Sequence, residues 1–391
     1  MNPPRPIGPF AVEDTTVQIA WRPGALLPGF HRLGVGPMEV SIEVPDYSLR
    51  VDDAAARPGG GVALIEGLRA GTRYPVLLGG RAVGAVTTLR PPPGDLLARF
   101  ATISDLHIGE HHVGPLGRIT EGRLRSADER GDGGVPYAVR ALRSALADMR
   151  AWGAEALVVK GDITHRGRAG EIEVAGRMLT GAGIPVIATN GNHEVKVVPN
   201  IVVGGLDTWG IPLSEGDAVV HHDLPGIRLV TADTTRDGRH AGELSPLAVD
   251  AVRDLLADAP AAFIGLHHHL HRHRMQRFWP PGIDGDAAAD LVRVIRLANP
   301  KTLVSSGHTH RNRRHLIDGI VATEVGSTKD YPGVWAGYAV HEGGIRQMVR
   351  RVSSPDVIPW IDRTAEAAFG AWRLWAPGHL TDRCFTHPWP A

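Results

Sequence analysis

The sequence predicts two portions of different fold class, an all-β front over residues 1–94 and an α/β domain over residues 98–352. Three observations carry this. The front portion holds short alternating segments broken by Gly and Pro, with no helical period. From about residue 98 onward, strand-like apolar runs alternate with helical stretches, the pattern of helices layered on sheets. Between them lies "RPPPGD" (Arg90 to Asp95), whose consecutive prolines favour an extended linker.

In the front portion "TVQIAWRP", "MEVSIEVP", "GVALIEGL" and "TRYPVLLGG" read as strands, and together they suggest a small β-sandwich. In the second portion "RFATIS", "ALVVK", "PVIAT", "IRLVTAD", "AAFIGL" and "KTLVSS" read as buried strands. The stretches "PYAVRALRSALADMRAWG" and "SPLAVDAVRDLLADA" read as helices. Residues 108–135 are rich in Gly and Arg without a period. They read as a surface insertion or a substrate-binding lid. Residues 353–391 form a tail expected to pack back on the α/β domain, with Cys384 inside it.

Composition narrows the chemistry. The 391 residues carry 42 basic and 42 acidic side chains, so nothing global argues for a nucleic-acid or membrane partner. A single cysteine excludes a disulfide framework and a thiolate metal cluster. Any metal must therefore take His, carboxylate or amide ligands. The start lacks the charged and apolar regions of a secretory signal, and no run reaches transmembrane length, so a soluble cytoplasmic protein is expected.

Five successive apolar runs end in metal-competent residues. "FATI" runs into Asp105 and His107, "ALVVK" into Gly161-Asp162, and "PVIAT" into Asn192 and His193. "AAFIGL" runs into His267, and "KTLVSS" into His308 and His310. Strand ends are where open α/β sheets place ligands. Two cations about 3.5–4 Å apart can clamp a phosphate. Such a pair needs an anion with two oxygens to span both ions, and imidazole or hard oxygen donors for the rest.

The ordered set Asp-x-His, Gly-Asp, Gly-Asn-His-Glu, His, Gly-His-x-His resembles the calcineurin-like metallophosphoesterases over roughly residues 98–352. The resemblance implies two mixed β-sheets flanked by helices, and hydrolysis of phosphodiesters or phosphomonoesters by a metal-bridging hydroxide. It implies two metal ions, Mn, Fe or Zn. Asp105, His107 and His310 would hold the first, Asp162 would bridge, and Asn192, His267 and His308 would hold the second. His268 is the alternative to His267, although an extended chain points it the other way. His193 would act as the acid at the leaving oxygen, and Asn192, His193 and Arg311 would contact the anionic substrate.

The front portion is similar to the end of a fibronectin type III domain, with Tyr74 at the usual tyrosine position. It also resembles the domain that precedes the catalytic domain of purple acid phosphatases. Those enzymes add a tyrosine three residues after the bridging Asp, and protein phosphatases place there an Asp that orients the catalytic His. This sequence has His165 at that position, so the sequence assigns no group to orient His193. The spacing is closer to bacterial class III cyclic-nucleotide phosphodiesterases.

Arg272, Arg274, Arg277, Arg311, Arg313 and Arg314 read either as a solvated basic face or as a cationic rim. Trp279, Trp335, Trp372, Trp375 and Trp389 read as packing anchors. The competing function is a non-catalytic scaffold on the same fold. Decay of that kind would remove His193 or a bridging ligand first, and every position is filled.

Overall fold

Runs of five apolar residues without a polar break suit strands covered on both faces. The computed structural model describes residues 7–21, 40–44, 47–51, 60–78, 81–116, 125–128, 130–131, 134–195, 205–272 and 280–390. The front portion contains β1 (Ile7–Val12), β2 (Val17–Trp21), β3 (Val40–Val44), β4 (Tyr47–Val51), β5 (Gly61–Ile65), β6 (Arg73–Leu78) and β7 (Arg81–Thr87). All are antiparallel, in a three-stranded sheet β1-β2-β5 and a four-stranded sheet β4-β3-β6-β7. Tyr74 is buried, and its hydroxyl accepts from the Arg69 N–H at 2.9 Å.

The second portion begins with β8 (Leu96–Ile103), β9 (His112–Leu116) and β10 (Arg125–Asp128). Then come α1 (Tyr137–Trp152), β11 (Ala156–Lys160), α2 (Ala169–Thr180), β12 (Val186–Thr189), the single turn α3 (Asn192–Val195) and β13 (Leu213–Ser214). They are followed by β14 (Val220–Leu224), β15 (Ile227–Thr231), α4 (Pro246–Ala257), β16 (Ala262–Leu266), α5 (Gly285–Ala298) and β17 (Thr302–Ser306). The chain closes with β18 (Arg313–Ile317), β19 (Ile320–Glu324), β20 (Val334–His341), β21 (Gly344–Arg351), α6 (Ile358–Thr364), α7 (Trp372–Trp375), α8 (Leu380–Arg383) and β22 (Phe385–Pro388).

Two mixed sheets result, ordered β13-β12-β11-β8-β20-β21-β22 and β14-β15-β16-β17-β19-β18. In the first, β8, β11, β12 and β13 run parallel; in the second, β15, β16, β17 and β19 do. Side chains on β16 alternate as a strand requires. Phe263 faces the other sheet, where Phe100 and Tyr338 stack with ring centroids 4.7 Å apart. Ala262 and Ile264 face the opposite way, toward Val252 and Leu256 of α4 and Val292 and Ile295 of α5. Burying one such side chain contributes roughly 1.5–3 kcal/mol. Helix α4 starts where Ser245 accepts from the Ala248 N–H, with Pro246 at its first position. Helix α1 stops at Gly153, whose φ of 85° ends the right-handed path.

Three regions take a definite form in the structure. The proline linker is not a free spacer, since the Pro93 carbonyl accepts from Gly343 N–H and the Asp95 N–H donates to Glu342. Part of the 108–135 insertion is ordered as the antiparallel pair β9–β10, and Leu116 bridges to Ala367. The tail contributes β22 to the edge of the first sheet, beside β21. Trp335 is fully buried, whereas Trp279, Arg274 and Arg277 lie outside the described residues.

Candidate metal centre

The carboxyl ends of β8, β11 and β12 in one sheet meet those of β16 and β17 in the other, and all five signature segments leave from these ends. Backbone bonds brace the loops: Asp105 N–H donates to Gly161 O, His107 N–H to Asp162 O, and Gly307 N–H to His267 O. The loops turn sharply. Asp105, His107, Asp162, His308 and His310 have φ of 54°, 45°, 49°, 64° and 49°. A left-handed backbone costs a side-chain-bearing residue about 1–2 kcal/mol, and such strain gathers at working sites. Two glycines allow the close approach. A Cβ on Gly191 would lie 2.2 Å from Asp162 N, and one on Gly307 would lie 2.7 Å from Asp105 Oδ2.

The side chains converge in two sets. In the first, His107 Nε2 lies 3.2 Å from His310 Nε2, which lies 3.3 Å from Asp105 Oδ1. In the second, His267 Nε2 lies 3.2 Å from both His308 Nδ1 and Asn192 Oδ1. Asp162 stands between them, Oδ2 3.7 Å from His107 Nε2 and Oδ1 3.4 Å from His267 Nε2. Ligands about 2.0–2.1 Å from a common cation are separated by just such gaps. The donor set therefore fits two metal ions, and ligand atoms of Asp105, His107 and His310 and of Asp105, Asp162 and His267 group within 4.8 Å.

Charge in the pocket follows the same plan. Burial would raise the Asp105 carboxyl, but His310 beside it holds it well below the usual carboxylate range. Burial also opposes the His310 imidazolium, yet Asp105 and Asp330 push it up to about 10. Burial and neighbouring imidazoles keep His107 and His308 well below the ordinary histidine value. The pocket thus pairs the Asp105 and Asp330 anions with the His310 imidazolium and keeps the His107 and His308 rings neutral. Beneath it, burial pulls the Lys160 ammonium down to about 7, where it donates to Ser305 Oγ and Ser306 O.

Several supporting contacts carry no signal in the sequence. His193 Nδ1 donates to the His165 backbone carbonyl at 3.0 Å, so the backbone supplies what a side chain at that position does not. Glu194 is buried and accepts from Gly191 N–H, Thr164 N–H and Thr164 Oγ. Burial and the adjacent Asp162 raise its carboxyl to about 8. His267 holds its orientation by donating from Nδ1 to Lys160 O, 2.9 Å away. His268 turns to Thr234, its Nδ1 2.8 Å from the hydroxyl.

Arg311, expected as a substrate contact, lies against Glu324 and Trp375. Its Nε and Nη2 donate to both oxygens of Glu324, at 2.6 and 3.1 Å, and its guanidinium lies 4.2 Å from the Trp375 ring. Arg313 and Arg314 are likewise turned to the tail, against Asp382 and the Phe385 ring. Trp372 stands at the edge of the site, its ring centroid 5.9 Å from that of His310.

Residues 98–312 match the family model described as calcineurin-like phosphoesterase. The chain belongs to the calcineurin-like phosphoesterase family. Enzymes of this family hydrolyse phosphoesters with binuclear metal centres, and the His and Asp clusters of this phosphoesterase fit one. It is similar to a Rhodococcus erythropolis protein named "Probable cyclic nucleotide phosphodiesterase", 29% identical over 242 residues, covering 57% of this chain and 70% of the relative. A solved purple acid phosphatase from yellow lupin (Lupinus luteus) seeds aligns at 12% identity and TM-score 0.44, covering 90% of this chain and 73% of that one. The phosphopantetheinyl hydrolase of Mycobacterium tuberculosis aligns at 17% identity and TM-score 0.36, covering 59% of this chain and 90% of that one. No helix among the described residues is long and apolar enough to cross a membrane.

Proposed function

We propose that this phosphoesterase is a binuclear, metal-dependent enzyme that hydrolyses phosphodiesters, with phosphomonoesters as the second class to test. The observation that carries the reading is Asp162, whose two oxygens face two separate donor sets. Asp105, His107 and His310 would hold one ion, Asn192, His267 and His308 the other, and Asp162 both. Bound divalent ions supply charge that stabilises hydroxide at neutral pH and offsets the charge of the phosphoryl oxygens. The nature of the ion, Mn, Fe or Zn, is open to all three because His, Asp and Asn suit each.

The remaining work falls to residues of the chain. His193 is partly exposed, and its Nδ1–H is held by the His165 carbonyl. That leaves Nε2 to carry a proton to the departing alkoxide, which suits a general acid. Asn192 is buried, so its amide is fixed rather than searching for a partner. The relative from Rhodococcus makes a diester the first choice of substrate. The front portion, with its antiparallel sheets and the Tyr74–Arg69 bond, supports a fibronectin type III-like unit.

The test is a panel of aryl and alkyl phosphodiesters, cyclic nucleotides and aryl monoesters, run on purified protein before and after chelation and after metal return. Hydrolysis of diesters that chelation abolishes and metal restores is expected. Full activity after exhaustive chelation would overturn the reading. No hydrolysis of any ester by metal-loaded protein would favour the scaffold alternative.

A further inference from the structure

We propose that the buried turn Ser327–Asp330 is the frame that sets the first donor group, with Lys329 as a positioning residue at its centre. The inference rests on the binuclear reading above and adds residues to it. All four residues of the turn are buried. Ser327 Oγ donates to the Asp105 carbonyl at 2.8 Å, and accepts from the N–H groups of Lys329 and Asp330 at 3.2 Å. Asp330 Oδ2 lies 3.0 Å from His310 Nδ1. The carboxylate therefore holds a proton on Nδ1, which makes Nε2, facing His107, the nitrogen that would meet a metal ion.

Lys329 joins these contacts to the remaining member. Its ammonium is 1% exposed and pairs with Asp330 Oδ1 at 3.3 Å and with Glu110. The Glu110 N–H donates to the His107 carbonyl at 3.0 Å, which makes Glu110 part of the turn that carries His107. One buried cation thus ties the His107 loop to the carboxylate behind His310, across a gap of 3.2 Å between their Nε2 atoms. Asp105, His107 and His310 are each reached from this turn. Asn192, His267 and His308 meet one another and Lys160 O, and the His308 backbone N–H donates to Asp105. Loss of Lys329 should therefore loosen one ion and spare the other.

The experiment is manganese(II) titration of the full chain, comparing wild type, Lys329→Met and Glu110→Gln. Outer-sphere partners of metal-bound His change affinity by roughly 10–100-fold. Lys329→Met should weaken one of two bound ions by about tenfold or more and leave the other near its wild-type affinity. Added to His310→Ala it should weaken binding no further, whereas added to His267→Ala it should show its full effect, because coupled residues are not additive. Glu110→Gln, at a partly exposed side chain, should act in the same direction and carries the test if Lys329→Met does not fold. Equal weakening of both ions, additivity with His310→Ala, or unchanged binding in both variants would overturn the proposal alone. Wild type that binds fewer than two ions would overturn the binuclear reading and this inference with it.

Discussion

At the residue scale the site is a set of ordinary side chains held in uncommon backbone. Asp105, His107, Asp162, His308 and His310 all take positive φ, against three other non-glycine residues with positive φ among the described residues, so strain concentrates where the donors meet. His193 differs from them, lying in the helical turn α3 with its ring hydrogen-bonded to a carbonyl. His193→Ala should keep its metal content yet lose activity, about 10²–10⁴-fold for esters with basic alkoxide leaving groups and less for aryl esters. Rates across a leaving-group series check this, and equal losses on alkyl and aryl esters would remove His193 from the acid role. The donors were legible because each ends an apolar run. The His165 carbonyl and Asp330 were not. A backbone oxygen has no identity in a sequence, and Asp330 meets His310 only after β18 and β19 have folded the chain back.

At the element scale, strand ends do the positioning. The buried parallel strands β8, β11, β12, β15, β16 and β17 coincide with the apolar runs, because such strands must be apolar on both faces. Edge strand β18 alternates exposed and half-buried residues, and its Arg-rich sequence reads as a basic rim until β19 is placed beside it. That pairing explains Arg311: Glu324, at the end of β19, gathers Arg311 and His315. Burial would raise the Glu324 carboxyl, but the His315, His269 and Arg311 groups hold it well below the usual range. A carboxyl depressed in the fold stabilises above its unfolded value, near 4.5, and that stability is lost as pH falls toward the folded value. Glu324→Gln should cost about 3–5 kcal/mol at pH 7, since Arg311, largely shielded from water, is left without its counter-charge. The gap to wild type should close as pH drops below about 4.5. Urea unfolding at several pH values measures this, and a gap that widens in acid would contradict the assignment.

At the scale of the whole molecule, the front sheet is joined to the second portion by more than a linker. Glu13, 4% exposed, pairs with Arg346 and Arg350 and accepts from Trp152 Nε1. Gln18 exchanges two hydrogen bonds with the Arg351 backbone, and Val12 N–H donates to Cys384 Sγ. The two portions share one hydrophobic cluster, from Phe10 and Ile19 through Phe100 to Phe385. The sequence shows the change of class near residue 95 but not this seam, because Glu13 and the arginines lie more than 300 positions apart. Glu13→Gln should destabilise the full chain by about 3–5 kcal/mol, leaving the buried Arg350 guanidinium without its carboxylate while Arg346 keeps Asp14. Its metal content should stay unchanged, as every proposed ligand lies beyond residue 100. Thermal unfolding with metal analysis of the same sample checks both parts. An unchanged Tm would show that the ion pairs do not hold the seam.

The most direct test of the central claim is the metal-to-chain ratio of wild type and Asp162→Asn, each loaded, dialysed and measured by elemental analysis beside diester turnover. An amide lacks the second anionic oxygen needed to hold two ions together. Two metals per wild-type chain are expected, with fewer in Asp162→Asn and turnover nearly abolished. Two retained metals and normal turnover in Asp162→Asn would contradict the account.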